Sequence, residues 1–179
     1  MGLLRLVTMA ASTVVVFSAT AAERETLSIG RAIPDSRLVQ EFLFPEAHCE
    51  NTAYQCMSVR PSGDRAIGMD VRFPTSSAEL TPSARAQLDP LGKVLAARSG
   101  KLNPGEIVIE GHADARGSAD LNKKLSQERA AAVVKHLVAA YKIDPKALQP
   151  VGRGKEQLRD PSRPESEVNR RVEMVRKAN

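Results

Sequence analysis

Residues 107–141 constrain the fold more than any other stretch. Ile107, Val108 and Ile109 form a short apolar run, and Gly111 to Gly117 (GHADARG) follows as a loop. Ser118 then precedes a periodic segment reaching about Tyr141, with Leu121, Leu125, Val133, Leu137 and Tyr141 on one side. A serine oxygen accepts from the free N–H groups of a first helical turn, so this spacing predicts a capped, long helix. A strand feeding such a helix needs a sheet on which the apolar stripe can lie.

The flanking segments supply the rest of that sheet. Ile67, Met69, Val71 and Phe73 alternate with Gly68, Asp70 and Arg72, a period of two that predicts a half-buried strand. Thr81 and Pro82 open a helix with Ala84, Leu88, Leu91 and Leu95 on one face. Pro90 lies inside it and predicts a kink or a restart at Asp89. Leu148 to Val151 reads as a short strand, and Pro150 predicts that it lies at an edge or ends early. Glu165 to Asn169 reads as a helical turn, and Val172, Met174 and Arg176 alternate along a last strand. The order is strand, helix, strand, helix, strand, strand. The expected class is therefore α+β, a mixed α/β βαβαββ sandwich with two main helices on one face of a four-stranded mixed sheet.

Three parts are expected along the 179 residues. Residues 1–22 carry a basic start at Arg5, an apolar run from Val7 to Ala19 and small residues at Ala19, Ala21 and Ala22. That is the pattern of a secretory signal peptide cut after Ala21 or Ala22, the alternative being an uncleaved anchor. Residues 23–65 form an N-terminal segment with few periodic signals, and residues 66–179 form the main domain. Cys49 and Cys56 travel with an exported chain, and two close cysteines in an oxidising compartment most simply form one disulfide. A metal site there is the weaker reading, since His48 leaves the set short of a well-spaced fourth ligand. No transmembrane segment is expected in the mature chain.

Charge and composition narrow the function classes. The net charge of +5 favours polyanionic partners without choosing among them. Aromatic residues are only 3%, with no Trp, which argues against base-stacking platforms for nucleic acid. Within residues 111–133, Asp114 lies in the loop, and Asn122, Ser126 and Arg129 follow four and three apart as one helical stripe, roughly opposite the core-facing leucines and valines. A carboxylate and a guanidinium facing each other across a groove can hold a zwitterion, one taking the ammonium and the other the carboxylate. From spacing alone, Asp114 and Arg129 could equally pair with each other or with the loop.

GHADARG, Asn122, Leu125-Ser126 and Arg129-Ala130 resemble the signature of the OmpA-like C-terminal domain family, which includes peptidoglycan-associated lipoproteins and flagellar stator B proteins. Phe73, Ser77 and Leu80 fit the family's opening strand and turn. Gly152 to Glu156 and Asn169 to Glu173 fit its closing motifs. The resemblance spans about residues 66–177, and the HAD form of the loop is most similar to the lipoproteins. It implies non-covalent binding of peptidoglycan through the free end of diaminopimelate in the stem peptide, tethering the cell envelope. Asp114 and Arg129 would grip that group, Asn122 would sit near the pocket, and Ser76 falls where many members have Asn or Asp. Pro74 falls where many have an acidic residue. The implied location is the periplasm, with association to the outer membrane left open, and no enzyme activity or cofactor is expected.

Other functions find less support. His112 and Asp114 could serve a hydrolase, yet only His48 and His136 are available as partners and no GxSxG motif occurs. His112 is instead expected to fix the loop by hydrogen bonding. Nucleic-acid binding would rest on charge alone. The remaining alternative is an envelope adaptor whose residues 23–65 dock on an outer-membrane or motor-type protein partner.

Overall fold

The computed structural model describes residues 24–30, 32–45, 63–71, 73–74 and 76–178. The predicted disulfide of Cys49 and Cys56 and the predicted signal segment lie outside the described residues. In chain order the elements are β1 (Glu25–Gly30), α1 (Ser36–Leu43), β2 (Arg65–Met69), α2 (Pro82–Ala96), β3 (Ile107–His112), α3 (Ala119–Tyr141), β4 (Leu148–Gly154) and β5 (Val172–Arg176), with single 3-10 turns at Pro145–Ala147 and Glu167–Asn169.

The strands make one mixed sheet in the order β1-β2-β5-β3-β4. The two outer pairs, β1 with β2 and β3 with β4, are parallel, and β5 runs antiparallel to both β2 and β3 between them. The four expected strands are present, and β1 adds a fifth from the segment whose fold the sequence left open. Leu27, Val39, Phe42, Leu43 and Phe44 are all buried in the main core. Burying a side chain of this size is worth about 1.5–3 kcal/mol. β1 and α1 are therefore built into the sheet and core that the sequence began at residue 66.

Alternation along the strands separates two faces. Ile67, Met69, Ile107, Ile109, Val172 and Met174 meet the helices through Leu88, Leu91, Leu95, Ala130, Val133 and Leu137. Ala66, Val108 and Val175 point the other way and form a small second cluster with Val151. Glu110 and Glu173 share that second face, opposite each other in the β3–β5 register.

Two local expectations change. Pro90 does not break α2, which is continuous from Pro82 to Ala96, with Thr81 capping the Ala84 N–H at 3.1 Å. Leu88, Leu91 and Leu95, on either side of the proline, are fully buried, so packing carries the helix through Pro90 without a restart, at the cost of one hydrogen bond. Leu121 is not on the buried side of α3 but 68% exposed. The buried stripe runs through Ser126, Ala130, Val133 and Leu137 instead. Ser126 thus faces the sheet and not away from it.

Glycine explains that approach. At Gly111 on β3 and Gly152 on β4 an added methyl would collide with the α3 backbone at Ser126 and Gln127. Because the helix lies so close, Ser126 Oγ accepts from the Gly154 N–H at 2.9 Å. Gln127 accepts from the Gly152 N–H at 2.6 Å and donates to the Pro150 carbonyl at 3.2 Å. One side-chain amide thereby stands in for a missing strand partner at the β4 edge, where Pro150 had been expected.

Candidate functional site

The C-terminal ends of β2 and β3, the start of β5 and the first half of α3 converge at one end of the sheet. A cavity of about 190 Å³ opens there, lined by Asp70, Val71, Phe73, His112, Arg129, Glu167, Arg170 and Arg171. Three hydrogen bonds from the loop after β3 set its rim. The His112 N–H donates to the Arg171 carbonyl, Ala113 to Gly154 and Ala115 to Pro164, at 2.8–2.9 Å.

Asp114 is nearly buried at the head of this loop. Its Oδ1 accepts from the Arg116 N–H at 3.1 Å, and its Oδ2 accepts from Arg170 Nη1 at 2.7 Å. Its ion-pair partner is therefore Arg170 and not Arg129. Asn122 donates to the Arg116 carbonyl at 2.6 Å and to the Asp114 carbonyl at 3.4 Å, which ties the loop to the first turns of α3. Ser76 stands at the tip of the turn between β2 and α2, exposed, at φ 50°, a left-handed conformation that few non-glycine residues adopt. Its side chain is not among the cavity's lining residues.

Arg129 is held from that same turn. Its Nε donates to the Ser77 carbonyl at 3.0 Å and its Nη2 to the Pro74 carbonyl at 3.5 Å. Its guanidinium carbon lies 5.0 Å from the centre of the Phe73 ring. Burial, and secondarily Arg170, push its pKa down, while Asp114 opposes them. An arginine still keeps its charge. The result is a fixed, partly dehydrated cation on the cavity wall, with a second guanidinium, Arg170, beside it. That pairing suits a bidentate carboxylate contact.

His112 does not fix the loop through its ring. Both ring nitrogens are buried without a hydrogen-bond partner among the described residues. Burial, with the Arg171 charge adding to it, holds its pKa at about 4. The imidazole is therefore neutral near pH 7. Its Nε2 lies 3.9 Å from carboxylate oxygens of both Glu110 and Glu173. These three residues bring potential metal-ligating atoms within 4.8 Å of one another. Arg24 Nη1 already bridges the two carboxylates at 2.7 and 3.2 Å, where a metal cation would stand.

Of the residues the sequence assigned to the site, Arg129 lines the cavity, while Asp114 and Asn122 hold the loop after β3 and are not among its lining residues. Asp70, Arg170 and the Phe73 stack were not assigned to the site. Arg170 carried a signal, since it lies in the Asn169 to Glu173 stretch that was read only as a closing motif of the family.

A sheet of this topology with helices on one face, and an acid and an arginine at its strand ends, defines a class of domain. The family model described as "OmpA family" matches residues 72–171, and the chain belongs to that family. It is 36% identical over 104 residues to the peptidoglycan-associated lipoprotein of Pseudomonas aeruginosa, a match covering 57% of this chain and 58% of that protein. It is 35% identical over 91 residues to outer membrane protein P5 of Haemophilus influenzae, covering 50% of this chain and 24% of that one. The chain thus matches only part of the length of each relative. Among solved structures, a putative MotB like protein from Desulfovibrio vulgaris superposes with a TM-score of 0.53 at 26% identity, covering 66% of this chain and 75% of that one. The OmpA-like domain of FopA1 from Francisella tularensis superposes with a TM-score of 0.51 at 19% identity, covering 64% and 75%, a likeness of fold.

Proposed function

We propose that this chain binds peptidoglycan non-covalently in the periplasm and so anchors or tethers the cell envelope. Its ligand group is the free end of diaminopimelate in the stem peptide. Arg129 takes the carboxylate of that group, and Asp114 contributes to holding the ammonium. Binding alone accounts for these roles, and the site performs no bond chemistry. The relatives named as peptidoglycan-associated lipoproteins support the class of ligand. The observation that carries the reading is Arg129, a cation fixed by two backbone carbonyls and an aromatic face on the wall of a cavity that a small zwitterion can enter.

The experiment is retention on purified sacculi. Wild-type protein should co-sediment, tolerate moderate salt and be released by excess free diaminopimelate. Lysine has an ammonium but lacks the second amino-acid centre, and should compete worse. Arg129→Ala should lose on the order of 2–5 kcal/mol of binding, because a ligand carboxylate would be left unpaired. Its circular dichroism should stay native. Release by salt alone, with no effect of diaminopimelate, would mean that basic charge and not the cavity does the binding.

A further inference from the structure

An ammonium group brings three N–H donors, and each needs an acceptor once water is displaced. Asp114 cannot supply them all, because one of its oxygens already serves the Arg116 N–H and the other the Arg170 guanidinium. Glu167 is exposed and pairs with Arg170 at 3.3 Å. Asp114 is itself not among the residues lining the cavity; of the two acids that are, Glu167 and Asp70, the second lies on the extension of β2. Its backbone N–H donates to the Gly30 carbonyl at 2.7 Å, so β1 fixes its position. Its Oδ1 is buried and has no hydrogen-bond partner among the described residues. A buried carboxylate oxygen without a donor is costly, and the cost is recovered when a donor arrives. The His112 ring that also lines the cavity is neutral near pH 7, and the guanidinium groups of Arg129, Arg170 and Arg171 complete the polar lining.

From these contacts we infer that Asp70 is a further ligand-binding residue, accepting from the ammonium of the bound group alongside Asp114. The inference rests on the peptidoglycan reading above and deepens it. Asp114 then has two tasks. It contributes an acceptor and, through Arg170, positions the second guanidinium for a carboxylate. Asp70 has only the first. The two acids should therefore respond differently to a ligand that keeps its carboxylates and lacks its amines.

The test is calorimetric titration of the full chain with meso-diaminopimelate and with pimelate, its diamine-free analogue. Wild type should prefer diaminopimelate. Asp70→Asn keeps the side-chain shape, and should weaken diaminopimelate about tenfold or more while leaving pimelate within roughly threefold of wild type. Asp70→Glu restores the charge and should recover part of the loss. Asp114→Asn should weaken both probes, because Arg170 is released as well. The inference is overturned if Asp70→Asn binds diaminopimelate as wild type does, or if it weakens both probes equally. In either case wild-type binding would still stand, and the peptidoglycan reading with it. Wild-type protein that binds neither sacculi nor diaminopimelate would overturn both.

Discussion

Two groups of charge lie on either side of His112, and they are finished differently. On the outer face of the sheet, Glu110 is completely buried and accepts from Arg24 at 2.7 and 3.2 Å and from two nitrogens of Arg153. Glu173 beside it accepts from Arg171 at 2.6 Å and from Arg24 at 3.2 Å. Burial alone would raise both carboxyl groups, and the arginines outweigh it and hold them below the usual range. At the strand ends, among the described residues, Arg129 is hydrogen-bonded only to backbone carbonyls and one oxygen of Asp70 has no partner. In the first group both carboxylates are paired internally. The second keeps a cation and an acid oxygen for something else. On the proposed function, buried charge in the first is a matter of folding, and in the second a matter of binding.

The widest separation between the two groups should come from emptying the closed one. Arg24→Ala with Arg153→Ala removes both partners of Glu110 and leaves a fully buried carboxylate unpaired. Removing the partners of a buried charge costs about 3–5 kcal/mol. The urea midpoint should fall accordingly, while the protein that remains folded keeps its retention on sacculi. A large loss of retention at unchanged stability would reverse the assignment of roles.

The wall between the groups can be tested with acid. His112 ionises at about 4 in the fold, against 6.5 when exposed. Between those values the unfolded chain binds the additional proton, so stability rises with pH. The contribution is complete above 6.5 and is lost as the pH falls to about 4. A shift of that size corresponds to about 3 kcal/mol. His136, also lowered chiefly by burial, adds in the same direction. Unfolding measured between pH 7 and pH 4 should show this slope, and His112→Asn should flatten it. An unchanged slope in the variant would show that His112 is not the titrating group.

The sequence made the helix-covered face legible because alternation and helical period report burial directly, as at Ile107, Ile109, Val133 and Leu137. β1 was missed because residues 24–44 hold only short apolar runs, and the burial of Leu27 and Val39 comes from α2 and β2, far away in sequence. Asp114 and Arg129 were legible through the family's motifs. Their pairing was not, because it depends on Arg170, 56 residues from Asp114, and on the carbonyls of Pro74 and Ser77. Ser126 was misplaced for a related reason. A polar residue on α3 reads as solvent-facing until Gly111 and Gly152 let the helix settle on the sheet. Asp70 was read as an outward-facing strand residue, and only the end of β2 at Met69 places it in a cavity wall.

The smallest effect asks whether the open group depends on its scaffold. Asn122 makes its hydrogen bonds to the loop carbonyls of Asp114 and Arg116, and is a fastener of the loop on this geometry. Asn122→Ala should cost about 1 kcal/mol of stability, the net worth of a typical hydrogen bond. Binding should weaken only by roughly fivefold or less, since about 1.4 kcal/mol is a decade. A fastener acts on the whole rim, so diaminopimelate and pimelate should weaken together. An asparagine that touches the ligand's amine would act on one probe alone. Equal small losses for both probes identify the fastener, and a selective loss for diaminopimelate would move Asn122 into the contact set beside Asp70.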